Sequence, residues 1–142
     1  MKDIMIVLFV IGFMVNSYAA NKKEFSEQEL AIVEKAKLES DNKLKGFKIN
    51  PTYENSLELI KYYGKWIGSV DYLAKKRDNP STEQLYFRRT KVHNDCKEFM
   101  DSAIRLLLNG QSVGLNYQKI QKMSTKGISE CLSGYDSALN KN

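Results

Sequence analysis

Apolar residues recur at three- and four-residue spacing along most of this chain. Proline or glycine interrupts the period at three places: "GFKINP" (46–51), "RDNPS" (77–81) and "NGQSVG" (109–114). Between the interruptions there is no sustained apolar–polar alternation, so the pattern predicts helices and no strands. A first helix opens on Ser26, which has capping-box spacing to Glu29, and carries Leu30, Val33, Lys37 and Leu44 on an otherwise charged surface. A second starts near Pro51 or Thr52. Its seam runs Tyr53, Leu57, Ile60, Gly64 and Ile67, with Tyr63, Trp66, Val70 and Leu73 widening the apolar face.

The third helix has Asn79 or Ser81 as its cap and reaches about Leu108, along Leu85, Arg89, Val92, Cys96, Phe99, Ala103 and Leu106. The fourth begins after Gly114 or slightly before it and continues into the tail. Its seam is Val113, Tyr117, Ile120, Ser124, Ile128, Cys131, Tyr135 and Ala138. Short connections set sequential helices side by side and antiparallel. The expected fold is therefore all-α, an antiparallel bundle of about four helices.

The first twenty residues carry a different pattern. Lys2 precedes an unbroken apolar run of twelve, Ile4 to Val15, and "SYA" then puts Ser17 and Ala19 at the small-residue positions of a signal-peptidase site. Twelve residues are too few to cross a bilayer comfortably, so the run reads as a secretory signal, residues 1–19, rather than an anchor. A buried N-terminal helix is the alternative. Residues 20–142 then form a single helical domain, exported to the periplasm or secreted.

Removing the signal takes one Lys and one Asp, so the exported part keeps the net charge of +5. Mild basicity outside the cytoplasm points to a partner with an acidic surface rather than to nucleic acid, and no stable membrane insertion is expected. The densest basic spots are "KKR" (75–77) and Arg88-Arg89. The first of these also fits the favourable placement of cations at a helix C-terminus.

The two cysteines, Cys96 and Cys131, lie on the seams of the third and fourth helices, and the midpoint between them falls inside "NGQSVG". Residues equidistant from the turn of an antiparallel hairpin face each other. Facing Cα atoms of packed helices come within about 4–5 Å, which a disulfide can bridge. Export supplies an oxidising compartment, and closing this loop should contribute about 3–4 kcal/mol. The disulfide removes the case for His93 in "KVHNDCKEF" (91–99) as a metal ligand or as the partner of a catalytic thiolate, because Cys96 is the soft donor either role needs. His93 flanks the Val92/Cys96 seam as a boundary residue. No nucleophile elbow, phosphate loop or metalloprotease motif is present. Neither an enzyme nor a cofactor is expected.

"YYGKWIGSVDYL" (62–73) gathers four aromatic rings and two glycines in one helix. Trp66, Tyr63 and Val70 read as core, whereas Tyr62 and Tyr72 fall outside it. Gly64 and Gly68 each cost about 1 kcal/mol against alanine unless another backbone approaches there. Asp71 occupies a place where the spacing asks for an apolar residue. Exposed tyrosine beside lysine suits a protein-contact surface, so the expected contact residues are Tyr62, Lys65, Asp71 and Tyr72.

The C-terminal "CLSGYDSAL" (131–139) adds a family. Cys131, Leu132, Tyr135 and Ser137 resemble the Cys-Leu-x-x-Tyr-x-Ser signature near the end of small helical periplasmic immunity proteins, which neutralise peptidoglycan amidase toxins of type VI secretion. The resemblance covers fewer than ten residues. It implies a toxin-neutralising role and adds Tyr135 and Ser137 as candidate contacts. The expected function is thus an exported helical protein that acts by binding another protein. The alternative is a carrier of small apolar ligands, with a cavity between the second and third helices lined by Tyr63, Trp66, Ile67 and Phe99.

Overall fold

The computed structural model describes residues 25–108 and 117–141. They form helices α1 (Glu27–Ile49), α2 (Tyr53–Asp78), α3 (Thr82–Leu108) and α4 (Tyr117–Leu139), with no strand among the described residues. The expected signal peptide, the "NGQSVG" turn and the start of the fourth helix lie outside the described residues.

Local chemistry sets the boundaries. Ser26 and Glu29 close the expected capping box: the Glu29 N–H donates to Ser26 Oγ at 3.3 Å and the Ser26 N–H to Glu29 Oε2 at 3.1 Å. Thr52, directly after Pro51, is the N-cap of α2 and accepts from the Asn55 N–H at 3.1 Å. Of the two cap candidates for α3, Ser81 takes that place. Its hydroxyl accepts from the Gln84 N–H at 3.2 Å, and its own N–H donates to Gln84 Oε1 at 2.9 Å. Asn79 instead ends α2 in the left-handed region, at φ 43°. Its short polar side chain tolerates that backbone better than most residues do.

Sequential helices run antiparallel. Lys76 reaches Glu29 and Lys43 reaches Glu58 between α1 and α2, while Ser124, Cys131 and Asp136 on α4 meet Asp101, Cys96 and Arg89 on α3. The tightest pair, however, is not sequential. Helix α2 packs most extensively on α4, and the two run parallel: Tyr53 Oη donates to the Met123 carbonyl, Lys61 pairs with Glu130, and Tyr135 reaches Asp71. Small residues allow this approach. A Cβ on Gly64 would lie on the Cys131 carbonyl, one on Gly68 on the Tyr135 carbonyl, and one on Gly134 on the Lys61 carbonyl. The helix-propensity cost of Gly64 and Gly68 is therefore offset by backbone-to-backbone contact.

Among the described residues, helix α1 has its only extensive contact with α2, through Val33, Ser40 and Phe47 at seven-residue spacing. The bundle is thus a three-helix core with a fourth helix laid along α2. Ser40 and Phe47 were not on the expected seam, and Tyr117, which was, is 78% exposed.

Candidate functional site

Cys96 and Cys131 are joined, as expected, with Cα atoms 6.2 Å apart and both residues 0% exposed. The bond ties the middle of α3 to the second half of α4. His93 sits half-buried beside it, with Nδ1 3.4 Å from Asn94 Oδ1. Among the described residues no group of three or more His, Cys, Asp or Glu side chains could hold a metal ion.

The residues singled out for partner contact separate into three environments. Tyr62 and Tyr72, on the side of α2 that meets α1, are half-buried and already have cationic neighbours. Lys65 Nζ lies 4.5 Å from the Tyr62 ring centre, Lys43 Nζ of α1 lies 4.9 Å from it, and Lys76 Nζ lies 5.6 Å from the Tyr72 ring. Two of these lysines are held by α1–α2 ion pairs, Lys43 to Glu58 at 2.9 Å and Lys76 to Glu29 at 2.8 Å. The hydrogen bonds from Lys76 and Lys43 hold the Glu29 and Glu58 carboxyls below the ordinary glutamate range. A lysine over a tyrosine face is an attractive contact, so this stripe is largely occupied by α1 and its own lysines.

Asp71 and Tyr135 belong to a second environment. Tyr135, expected at a contact surface, is 0% exposed, and its hydroxyl donates to Asp71 Oδ2 at 2.7 Å. This explains the acidic residue at an apolar position of α2: it receives a buried phenol from α4. Burial pushes the Asp71 carboxyl above the usual aspartate range, while the Tyr135 hydroxyl and the charges of Arg88 and Lys91 on α3 pull it back. Burial and the Asp71 carboxylate together push the Tyr135 hydroxyl well up. Tyr135 is a structural residue because its whole ring fills the core. Ser137 is exposed, and its hydroxyl donates to the Gly134 carbonyl at 2.8 Å within its own helix. The residues proposed to line a carrier cavity, Tyr63, Trp66, Ile67 and Phe99, all belong to one buried cluster, with Tyr63 and Trp66 edge to face at 6.2 Å.

The third environment holds residues outside the expected seams. Tyr86 and Phe87, in the first turns of α3, are 67% and 61% exposed and meet edge to face at 6.1 Å. Their position is fixed from both sides. Ser81 and Gln84 fix the start of the helix, Arg88 Nη2 lies 3.8 Å from Asp78 Oδ2 at the end of α2, and Arg89 grips Asp136 of α4 through two bonds of 3.1 and 2.8 Å. The signal for them was present in the sequence. One and two places after Leu85, a helix turns both rings away from the Leu85/Val92 seam.

Two large rings on a braced helix thus face solvent side by side. An open cleft along α4 is lined by Gln118, Lys122, Lys126 and Glu130 among others, and none of the expected site residues lines it. Among the described residues no helix is long and apolar enough to cross a membrane. In comparisons with known proteins, no family model matches the chain, no curated protein is similar to it, and no solved structure resembles it.

Proposed function

We propose that this chain is an exported binding protein of the periplasm that acts by capturing another protein, with toxin neutralisation as its role. The observation that carries the binding reading is the solvent-facing Tyr86–Phe87 pair on a helix braced by ion pairs and by the Cys96–Cys131 bond. Preformed aromatic anchors lose little conformational freedom on association, and aromatic residues and arginine dominate the energetic centres of protein interfaces. The short C-terminal resemblance to amidase-immunity proteins supports the neutralising role. The disulfide suits an oxidising compartment, which supports the location.

The test is affinity purification of the tagged chain from the cell envelope at native expression, after reversible cross-linking. The expected result is one co-purifying protein in stoichiometric amount that binds the purified chain directly. Loss of the chain should then sensitise cells to that protein. Recovery of the chain alone, with no stoichiometric companion, would overturn the reading.

A further inference from the structure

We infer that the Cys96–Cys131 bond is made before α2 packs against α4, by a disulfide-bearing oxidant, and that packing then closes the bond to thiol exchange. The chemistry of the bond is independent of the binding role proposed above. Both cysteines are fully buried, in one cluster with Leu59, Ile60 and Ile67 of α2. One turn to one side of the bond, Met100 of α3 lies against Gly127 of α4, where a Cβ would land on the Met100 side chain. One turn to the other side, Val92 and Tyr135 are buried as well. Helix α2 closes the remaining approach. A Cβ on Gly64 would meet the Cys131 carbonyl, so backbone there lies directly on backbone.

Disulfides form and break through a mixed disulfide. To make this bond, one cysteine thiolate attacks a sulfur of the oxidant's disulfide and releases the other oxidant sulfur as a thiolate. The second cysteine loses its proton and attacks the chain's own sulfur in that mixed disulfide. The Cys96–Cys131 bond forms, and the oxidant leaves as a dithiol that carries the two electrons and both cysteine protons. Midway, the oxidant is covalently attached to Cys96 or Cys131. In the packed bundle neither sulfur has room for a second substituent, because both residues are 0% exposed and close-packed cores resist added volume. The attachment therefore occurs while α2 is away from α4. The same enclosure protects the finished bond, since a reductant must pass through a mixed disulfide too. Cys96–Cys131 is thus a permanent tie and not a redox-responsive one.

Two measurements on the unsubstituted chain test this. In the first, the oxidised, folded protein is treated with dithiothreitol at urea concentrations below its unfolding transition, and freed thiols are counted with a maleimide. Reduction without urea should be at least about a hundredfold slower than in the urea-unfolded chain, because it waits for a rare opening. Its rate should climb with urea, since that opening exposes the surface between α2 and α4. A smaller difference, or a rate indifferent to urea, would overturn the seal. In the second, the reduced chain is diluted out of urea and given oxidised glutathione, either at once or after the emission of Trp66, the single and buried tryptophan, reaches its folded value. Oxidation should be at least about tenfold slower after the delay. If Trp66 reaches its folded value only once the oxidant is present, packing waits for the bond, which is the same order of events. Equally fast oxidation of a chain whose Trp66 already reports the folded state would overturn the order.

Discussion

Two aromatic pairs outside the fully buried core have opposite fates. Tyr62 and Tyr72 on α2 look like contact residues because lysines surround them, yet those lysines are the reason they are not free. Lys43 and Lys76 lie over the rings and pair with Glu58 and Glu29 across the α1–α2 interface. Tyr86 and Phe87 on α3 have arginines beside them too, but Arg88 and Arg89 reach inward to Asp78 and Asp136 and leave the rings uncovered. Cations next to aromatic residues therefore carry different meanings. On α2 they fasten a helix to its neighbour; on α3 they brace a helix and leave its outer face open.

The contrast depends on a frame that holds α3 still, and breaking the frame gives the largest expected effect. Cys96→Ser/Cys131→Ser should lower unfolding free energy by about 3–4 kcal/mol in denaturant titrations, since the bond closes a loop with a sequence separation of 35. An unchanged midpoint would mean that the α3–α4 contact does not need the bond. Gly64→Ala comes next. Its methyl would meet the Cys131 carbonyl, a backbone atom that cannot swing aside. The clash should outweigh the gain of about 1 kcal/mol in helix propensity and leave a net loss of about 2 kcal/mol. A stabilised variant would show that α2 and α4 do not approach through their backbones.

These tests also separate what the pattern of residues could reveal from what it could not. The cap at Ser26, the start of α2 near Thr52, the four helices and the Cys96–Cys131 bond were legible because each depends on spacing within one helix or on symmetry about one turn. The parallel α2–α4 contact was not. Gly64 and Gly68 announced that some backbone comes close, but nothing local says which helix supplies it. The same blindness misplaced Tyr135. Its helical phase matched the core, whereas a short sequence resemblance suggested a contact role; only the fold shows Asp71 waiting for its hydroxyl. Tyr86 and Phe87 were overlooked for the reverse reason. Their phase placed them outside the seam, and no lysine-flanked tyrosine pattern like that of α2 marks them.

A smaller effect sharpens the account of Asp71. Burial raises its folded-state pKa, so the folded protein holds that proton more tightly than the unfolded chain does. The associated stability is present below the ordinary aspartate pKa and is lost as pH rises through the folded value. Asp71→Asn keeps an acceptor for Tyr135 and removes the titration. The variant should therefore gain stability relative to the parent between acidic and neutral pH, then hold a constant difference. The comparison is made by urea unfolding of both proteins across that range. A difference that shrinks toward neutrality would mean that the charges of Arg88 and Lys91 outweigh burial.

The account rests on one aromatic set being bound up in the fold and the other being free, and parallel unfolding of two double variants tests this most directly. Tyr62→Ala/Tyr72→Ala should cost about 2 kcal/mol or more, because it removes half-buried packing, the contact of Lys43 of α1 with the Tyr62 ring and the contact of Lys76 with the Tyr72 ring within α2. Tyr86→Ala/Phe87→Ala should stay within about 0.5 kcal/mol of the parent, because solvent already covers most of both rings. Equal losses, or a larger loss for the α3 pair, would contradict the account.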